Sequence, residues 1–302
     1  MKIILDTNIW IDFFDDRNLL DGLDSSLVTP TFLNYFELMK NKIAIIGGGN
    51  LGTAIAEGLI ASRFAKPADI IITKRNTSTL KPYEQKGVHV TTSNSDAVKK
   101  SGIVILAVKP FQVKEVIEGI KKELTGSHIL VSVLTGVTIK DIEEIIKKKM
   151  PVFRAMPNTA IAIRQSMTCL SASNATPDQV KYINDLFCTV GKVVTIDEKL
   201  MDAATVLGAC GTAYAMRYIR ANIQGGIEIG FDALTASLIA AQTVKGAAQL
   251  LLEKGSHPEY EIDKVTTPKG CTIAGLNEME HRGFSSSLIK GVVASYDKIL
   301  NS

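Results

Sequence analysis

Glycines at positions 47, 49 and 52, within IAIIGGGNLGTAIAEGLI, carry the clearest chemical signal in the chain. They read G-x-G-x-x-G directly after an apolar strand and at the opening of a helix, the context that separates a phosphate-binding turn from a chance run of glycines. In such a turn Gly47 permits the tight bend, Gly49 lets the backbone approach a pyrophosphate, and Gly52 lets the helix pack closely on the strand. The helix start adds unpaired N–H groups and the positive end of a dipole. The chemistry implied is the binding of a dinucleotide.

The second candidate position lies at the end of the next strand, in ITKRNTS. A site selective for NADH carries an acid there, about 20 residues beyond the glycines, to hold the ribose 2′-hydroxyl. Lys74, Arg75 and Asn76 stand in that place instead. The expectation is a preference for NADPH, with NADH also possible, because a guanidinium suits a 2′-phosphate that an acid would repel. Further along, ILAVKPFQVKEVI places Ala107, Val108, Lys109 and Pro110 at the carboxyl end of another apolar strand, the edge at which open α/β sheets bind ligands. RAMPNTAIAI and VTTPKGCTIAGL are Gly, Pro and Thr clusters that on their own read as turns with helix caps.

These residues need a scaffold, and the surrounding pattern supplies one. KIAIIG, DIIITKR, VHVTT, IVILAV and HILVSV are short apolar strands, separated by helical stretches such as NLGTAIAEGLIAS and FQVKEVIEGIKKEL. Strands that read as continuous apolar runs and alternate with amphipathic helices predict an α/β fold, a Rossmann-type doubly wound parallel sheet covered on both faces. The helix IKDIEEIIKKK and short strands around PVFRAMP, MTCLSAS and KVVTI extend this part to residue 198. From residue 199 to 302 the pattern is all helical. LTASLIAAQTVKGAAQLLLEKG stops at Gly255 with Pro258 beyond, and it is apolar on nearly every side. Such a helix must be buried, either in the monomer core or at a helical subunit interface, and the interface is the expectation.

The totals exclude several classes. Lys and Arg number 34 against 31 Asp and Glu, a balance that gives no cue for nucleic-acid binding. The run Lys147 to Lys149 reads as a helix end complementing its dipole. Cys169, Cys188, Cys210 and Cys271 are far apart, so neither a disulfide framework nor a metal site is expected, and the default setting is reduced and cytoplasmic. No apolar run reaches the roughly 18 residues of a membrane span.

Taken together, IGGGNLG, AVKP, RAMPNTA, ATVLGACGTAY, AAQTVKGAAQLL and HPEYEIDKVTTPKGCTIAGL resemble the pyrroline-5-carboxylate reductases, collinearly over residues 39 to 302. The resemblance implies a Rossmann domain over 39–198, a helical dimerisation and substrate-binding domain over 199–302 whose helices interleave between subunits, and NAD(P)H reduction of L-1-pyrroline-5-carboxylate to L-proline. By matched position, it puts the dinucleotide on Gly47, Gly48, Gly49, Asn50, Leu51 and Gly52, on Arg75 with Asn76, on Asn94, and on Ala107 to Pro110. It puts the substrate on Thr267, Gly270, Cys271 and Thr272, and sets Thr205 near the ring nitrogen. The partners implied are a small-molecule substrate and a second copy of the chain, with larger assemblies of dimers left open. Three positions depart from the family pattern: Ala160 in PNTA, Thr212 in GACGTAY and Lys269 in TPKG, where proline, proline and glycine are usual. The β-hydroxyacid dehydrogenases share this two-part plan but need a lysine followed four residues later by asparagine, and TAYAMRYIRAN has no such pair.

The first residues resemble something else. MKIILDTNIWIDFFDD with Asp6, and TPTFLNYFELM with Glu37, are similar to the start of a PIN-domain ribonuclease, in which acids converge on Mg²⁺ or Mn²⁺. The further acids of such a site do not follow, so nuclease activity is not expected of residues 1–38. Met39 is expected to be the functional beginning, and the preceding segment is left as a docking strand, an interaction segment or an upstream addition.

Overall fold

The computed structural model describes residues 42–301, so the expectations for residues 1–38 lie outside the described residues. Eight strands form one sheet: β1 (Ile43–Ile46), β2 (Ile70–Thr73), β3 (His89–Thr91), β4 (Ile103–Leu106), β5 (Ile129–Ser132), β6 (Val152–Met156), β7 (Ser166–Ser173) and β8 (Gly191–Thr195). Their order is β3-β2-β1-β4-β5-β6-β7-β8. β1 lies between β2 and β4 in parallel register, with Ile45 opposite both Ile72 and Ile105. The sheet is parallel from β3 to β6, whereas β7 runs antiparallel to β6 and β8 parallel to β7. A parallel return needs a crossover of roughly a dozen residues or more, and the short connection at 157–165 holds only a 3₁₀ turn, so the chain can only double back.

Both faces are covered. One buries Ile45, Ile72, Ile105 and Phe153 under α1 (Asn50–Ala61) and α6 (Pro177–Cys188). The opposite face buries Ile46, Val104, Leu130 and Val152 under α3 (Asn94–Lys99), α4 (Val113–Ile120) and α5 (Ile139–Ile146). The remaining short helix of this half, α2 (Lys81–Gln85), precedes β3. Helix α5 shows why such segments fold. Ile139, Ile142 and Ile146 share one face and are buried, worth about 1.5–3 kcal/mol each. Thr138 and Asp141 close a reciprocal capping box, Thr138 N–H to Asp141 Oδ2 at 2.9 Å and Asp141 N–H to Thr138 Oγ1 at 3.1 Å. The helix ends at Lys147 in a left-handed conformation, φ 54°. Lys148 then does not serve its own helix: its ammonium donates to the carbonyls of Lys121 and Leu124, just past the end of α4. The expectation that the Lys147–Lys149 run complements its own helix is therefore not met at Lys148, whose charge goes to the end of the neighbouring helix.

The second half is helical: α7 (Met201–Ala204), a π-helical turn (Thr205–Cys210), α8 (Gly211–Glu228), α9 (Ala233–Lys254), α10 (Pro258–Lys264), α11 (Cys271–His281) and α12 (Phe284–Leu300). Asp232 caps α9 through bonds to the N–H groups of Leu234 and Thr235, and Gly255 ends it at φ 62°. Only Ala236 and Ala240 of this helix are buried, while Leu234 and Leu238 are 84% and 70% exposed in a single chain. An apolar helix left so open within one chain is unfinished packing.

Candidate functional site

The glycine turn joins β1 to α1, and each glycine meets different surroundings. Gly47 has φ +117°, and a Cβ there would lie 2.4 Å from the Ala107 carbonyl oxygen that follows β4. The N–H groups of Gly47 and Gly48 both donate to the Thr73 carbonyl at the end of β2, at 3.2 and 2.7 Å. A Cβ on Gly52 would fall 2.1 Å from the Gly47 carbonyl oxygen. Gly49 is the exception, since a Cβ there would meet nothing within 4 Å. Gly49 is also the N-cap of α1, with no side-chain cap and no acidic residue in the first turn. The turn is thus closed on its protein side by Gly47 and Gly52 and open at the helix N-terminus, over N–H groups that no side chain fills. That cradle fits the pyrophosphate of a dinucleotide.

The other expected cofactor residues lie along the same carboxyl edge of the sheet. Ala107 is anchored by its N–H to the Ile46 carbonyl at 2.8 Å, and Lys109 and Pro110 open a 3₁₀ turn leading to α4. Beyond β2, Lys74 Nζ donates to Thr79 Oγ1 at 2.7 Å, and Asn76 caps a short turn by accepting from Ser78 N–H at 3.0 Å. Arg75 between them is exposed and makes no ion pair among the described residues. Asn94 is the first residue of α3, half-buried beyond β3.

Thr205 begins the π-helical turn and is 3% exposed. Its Oγ1 donates to the Met201 carbonyl at 2.8 Å, so it bonds back along its own helix and is not an N-cap. The turn is marked by the Gly211 N–H bonding to the carbonyl of Val206, five residues back. Thr205, Thr135 from the loop after β5, Cys210, and Ser295 and Lys298 of α12 line an open groove of about 610 Å³. Beneath it, Met201 packs with Met156 and Cys169, and burial pushes the Cys169 thiol pKa up, keeping it a neutral filler.

The expected substrate turn does not join this groove within one chain. Thr267, Lys269 and Cys271 are exposed, and the Gly270 N–H donates to the Thr267 carbonyl at 2.9 Å. Gly270 caps α11 without a side-chain bond, and a Cβ on it would lie 2.5 Å from Thr267 Oγ1. Thr272, half-buried, is the second residue of that helix. Lys269 holds φ 60°, the left-handed region that favours the glycine usual there.

Two residues passed over in the sequence stand close to Thr205. Arg154 of β6 is 1% exposed, with NH2 2.7 Å from Asp202 Oδ1 and NH1 3.7 Å from Glu198 Oε1. Asn158 donates Nδ2 to the Gly208 carbonyl at 3.1 Å. Both lie in RAMPNTA, a motif legible in the sequence; an arginine inside an apolar strand is the signal that a partner acid must exist elsewhere.

Known proteins resemble this chain in sequence and in fold. Residues 198–301 match a family model described as pyrroline-5-carboxylate reductase dimerisation, and residues 42–136 match one described as NADP oxidoreductase, coenzyme F420-dependent. The chain is 44% identical over 279 residues to pyrroline-5-carboxylate reductase 2 of Dictyostelium discoideum, covering 87% of this chain and 93% of that one. It is 51% identical to reductase 1 of the same organism over 274 residues, 87% of this chain but only 50% of that longer protein, so it spans half of that relative. Among solved structures, the Plasmodium falciparum pyrroline carboxylate reductase with NADP bound superposes with a TM-score of 0.80 at 26% identity, covering 86% of this chain and 97% of that one. The Coxiella burnetii pyrroline-5-carboxylate reductase gives 0.77 at 32%, covering 86% and 98%. With relatives this similar over most of both chains, and with the dimerisation model of that family matched over residues 198–301, the chain belongs to the pyrroline-5-carboxylate reductase family.

Proposed function

We propose that this chain reduces L-1-pyrroline-5-carboxylate to L-proline with NADPH as the preferred donor, NADH serving less well. The observation that carries the reading is the match across 93% of a reductase relative, in a chain whose glycine turn keeps an open cradle at Gly49. When bound, the nicotinamide supplies the hydride. The residues of the chain supply register and charge.

A protonated cyclic imine is already a strong electrophile, so the protein's main task is to hold two reactants in line, an effect that can lower a barrier by about 7–11 kcal/mol. Thr205 suits the ring nitrogen. Its proton is committed to the Met201 carbonyl, which leaves an oxygen lone pair to accept an N–H from the iminium and then from the amine product. The N–H groups at the start of α11, around Gly270, Cys271 and Thr272, suit the substrate carboxylate. Because that turn is exposed in one chain while the Thr205 groove stands open, and because the apolar face of α9 is unfinished, we read the working form as a homodimer. Arg75 is the cation available to a ribose 2′-phosphate, with Asn76 and Asn94 beside the adenosine end.

The test is oxidation of NADPH and of NADH in the presence of pyrroline-5-carboxylate, by the wild type and by Arg75→Ala. Turnover with both donors is expected, with KM for NADPH rising about tenfold or more in the variant and KM for NADH nearly unchanged, the loss of one charge-assisted bond. No turnover with either donor would overturn the reading; equal effects on both KM values would remove Arg75 from it.

A further inference from the structure

The π-helical turn at Thr205–Cys210 sets a problem of placement. π turns are rare and are maintained by their surroundings, so a hydroxyl carried on one owes its position to whatever holds the turn. Here two polar tethers run to it from one strand. Arg154, buried in β6, bonds Asp202, three residues before Thr205, with NH2 at 2.7 Å from Oδ1. Asn158, just past the end of β6, bonds the carbonyl of Gly208, three residues after Thr205, at 3.1 Å. Each tether is itself fixed. The Arg154 guanidinium lies 3.7 Å from Glu198, whose carboxylate also accepts the Ile139 N–H. Asn158 Oδ1 accepts from Ala160 N–H at 3.1 Å, and its backbone N–H donates to Ser166 Oγ at 3.1 Å. The Met201 carbonyl that orients Thr205 Oγ1 belongs to the residue just before Asp202, where the first tether attaches.

We propose that Arg154 and Asn158 are positioning residues that clamp the Thr205 turn to the sheet from both sides, so that the Thr205 hydroxyl keeps a fixed place relative to a dinucleotide bound on the same sheet. The proposal rests on the reading of Thr205 as the partner of the ring nitrogen. The clamp has a specific geometry. The two terminal nitrogens of Arg154 face two different acids, Asp202 at 2.7 Å and Glu198 at 3.7 Å, a planar fork that the single ammonium of a lysine does not reproduce. A misplacement of about 1 Å at a reacting centre is worth up to roughly a hundredfold in rate. A structural ion pair alone would stabilise the join between sheet and helices and leave the turnover of the folded enzyme untouched.

The experiment is steady-state kinetics of Asn158→Ala and Arg154→Lys, each in the wild-type and in the Thr205→Ala background, with NADPH and pyrroline-5-carboxylate. Circular dichroism melts establish which variants are folded; Asn158→Ala leaves the Gly208 carbonyl and the Ala160 N–H without their side-chain partner but no buried charge, so it keeps the test open should Arg154→Lys not fold. In the wild-type background each is expected to lower kcat about ten- to a hundredfold with KM for NADPH within about twofold. In the Thr205→Ala background each is expected to add less than about a twofold further loss, because residues acting through one group are non-additive. Wild-type kcat in the folded variants, or the same fold loss in both backgrounds, would overturn the clamp while leaving Thr205 in place. Wild-type turnover in Thr205→Ala itself would remove the Thr205 reading and the clamp with it.

Discussion

The glycine turn lets binding be separated from folding by two substitutions three residues apart. At Gly49 the backbone has φ −86° and ψ −170°, which alanine adopts freely, and the added methyl would meet nothing within 4 Å. The folding cost of Gly49→Ala is that of a poorer N-cap, about 0.5–1 kcal/mol, which for a chain of this size is a Tm fall of roughly 1–4 °C. The binding cost is larger. A methyl at the helix N-terminus holds a phosphate back from the N–H groups, and losing one hydrogen bond to a charged group costs about 1.5–3 kcal/mol, a roughly ten- to hundredfold rise in the dissociation constant for NADPH. Gly52→Ala has the opposite signature. Its methyl would sit 2.1 Å from the Gly47 carbonyl, so β1 and α1 must separate. Overpacking of this kind costs about 3 kcal/mol or more, a Tm fall of roughly 6–12 °C. The assays are thermal melts without cofactor and a fluorescence titration with NADPH. If Gly49→Ala binds NADPH as tightly as the wild type, the phosphates do not cross that helix end. If Gly52→Ala melts with the wild type, the close approach of α1 to the turn is wrong.

Other outcomes follow from single residues. Lys269→Gly is expected to raise stability by about 0.5–1 kcal/mol, since a left-handed side chain costs about 1–2 kcal/mol and the extra freedom of unfolded glycine takes part of it back; a fall in Tm would contradict the left-handed assignment at φ 60°. Hydrogen bonds from the Thr138 side chain and backbone, with the Arg154 charge adding to them, hold the Asp141 carboxyl below the usual carboxylate range. A depressed folded pKa stabilises above the unfolded value near pH 4 and is lost as pH falls through the folded one. Asp141→Asn is therefore expected to destabilise by about 1 kcal/mol at pH 7 and to converge with the wild type in urea melts as pH falls through the depressed folded value, whereas a gap that stays constant with pH would sink the linkage. Leu238→Glu places a charge on the exposed apolar face of α9, 70% exposed at that position in one chain, and is expected to give a monomer by light scattering. A dimer unchanged in mass would put the interface elsewhere.

The parts legible in the sequence were those written in local pattern. β1, β2, β4, β5 and β6 are buried along their whole length and stand out as apolar runs, because a strand covered on both faces has few polar positions to blur the signal. The stop at Gly255 was legible because glycine ends helices in the left-handed conformation found there. Helix α6 was passed over although Thr176 and Gln179 form a readable capping box, with mutual bonds of 2.9 and 3.3 Å. The short α2 and α3 have too few turns for periodicity to register. The reversal of β7 followed from a connection length, and the Arg154 to Asp202 pair joins residues far apart in sequence that only the sheet and helix packing bring together. The π turn left no distinctive local trace: in TVLGAC the single glycine weakens a helix, but nothing separates a π turn from an ordinary α-helical one.

That turn also acts as a phase shifter. One residue more than an α-helix would use is looped out at Thr205–Cys210, and every side chain beyond it is rotated by about 100° from where an unbroken helix would put it. Tyr214, whose hydroxyl lies 2.6 Å from Ser295 Oγ on α12, meets its partner only because of that offset. Deleting one residue from the turn would therefore not shorten α8 so much as turn it about its axis, swinging the Tyr214 side away from α12 and presenting a different stripe of the helix to its neighbours. The extra residue sets the rotational register of the C-terminal half, and an insertion or deletion at this spot would remodel that half without altering any other side chain in it.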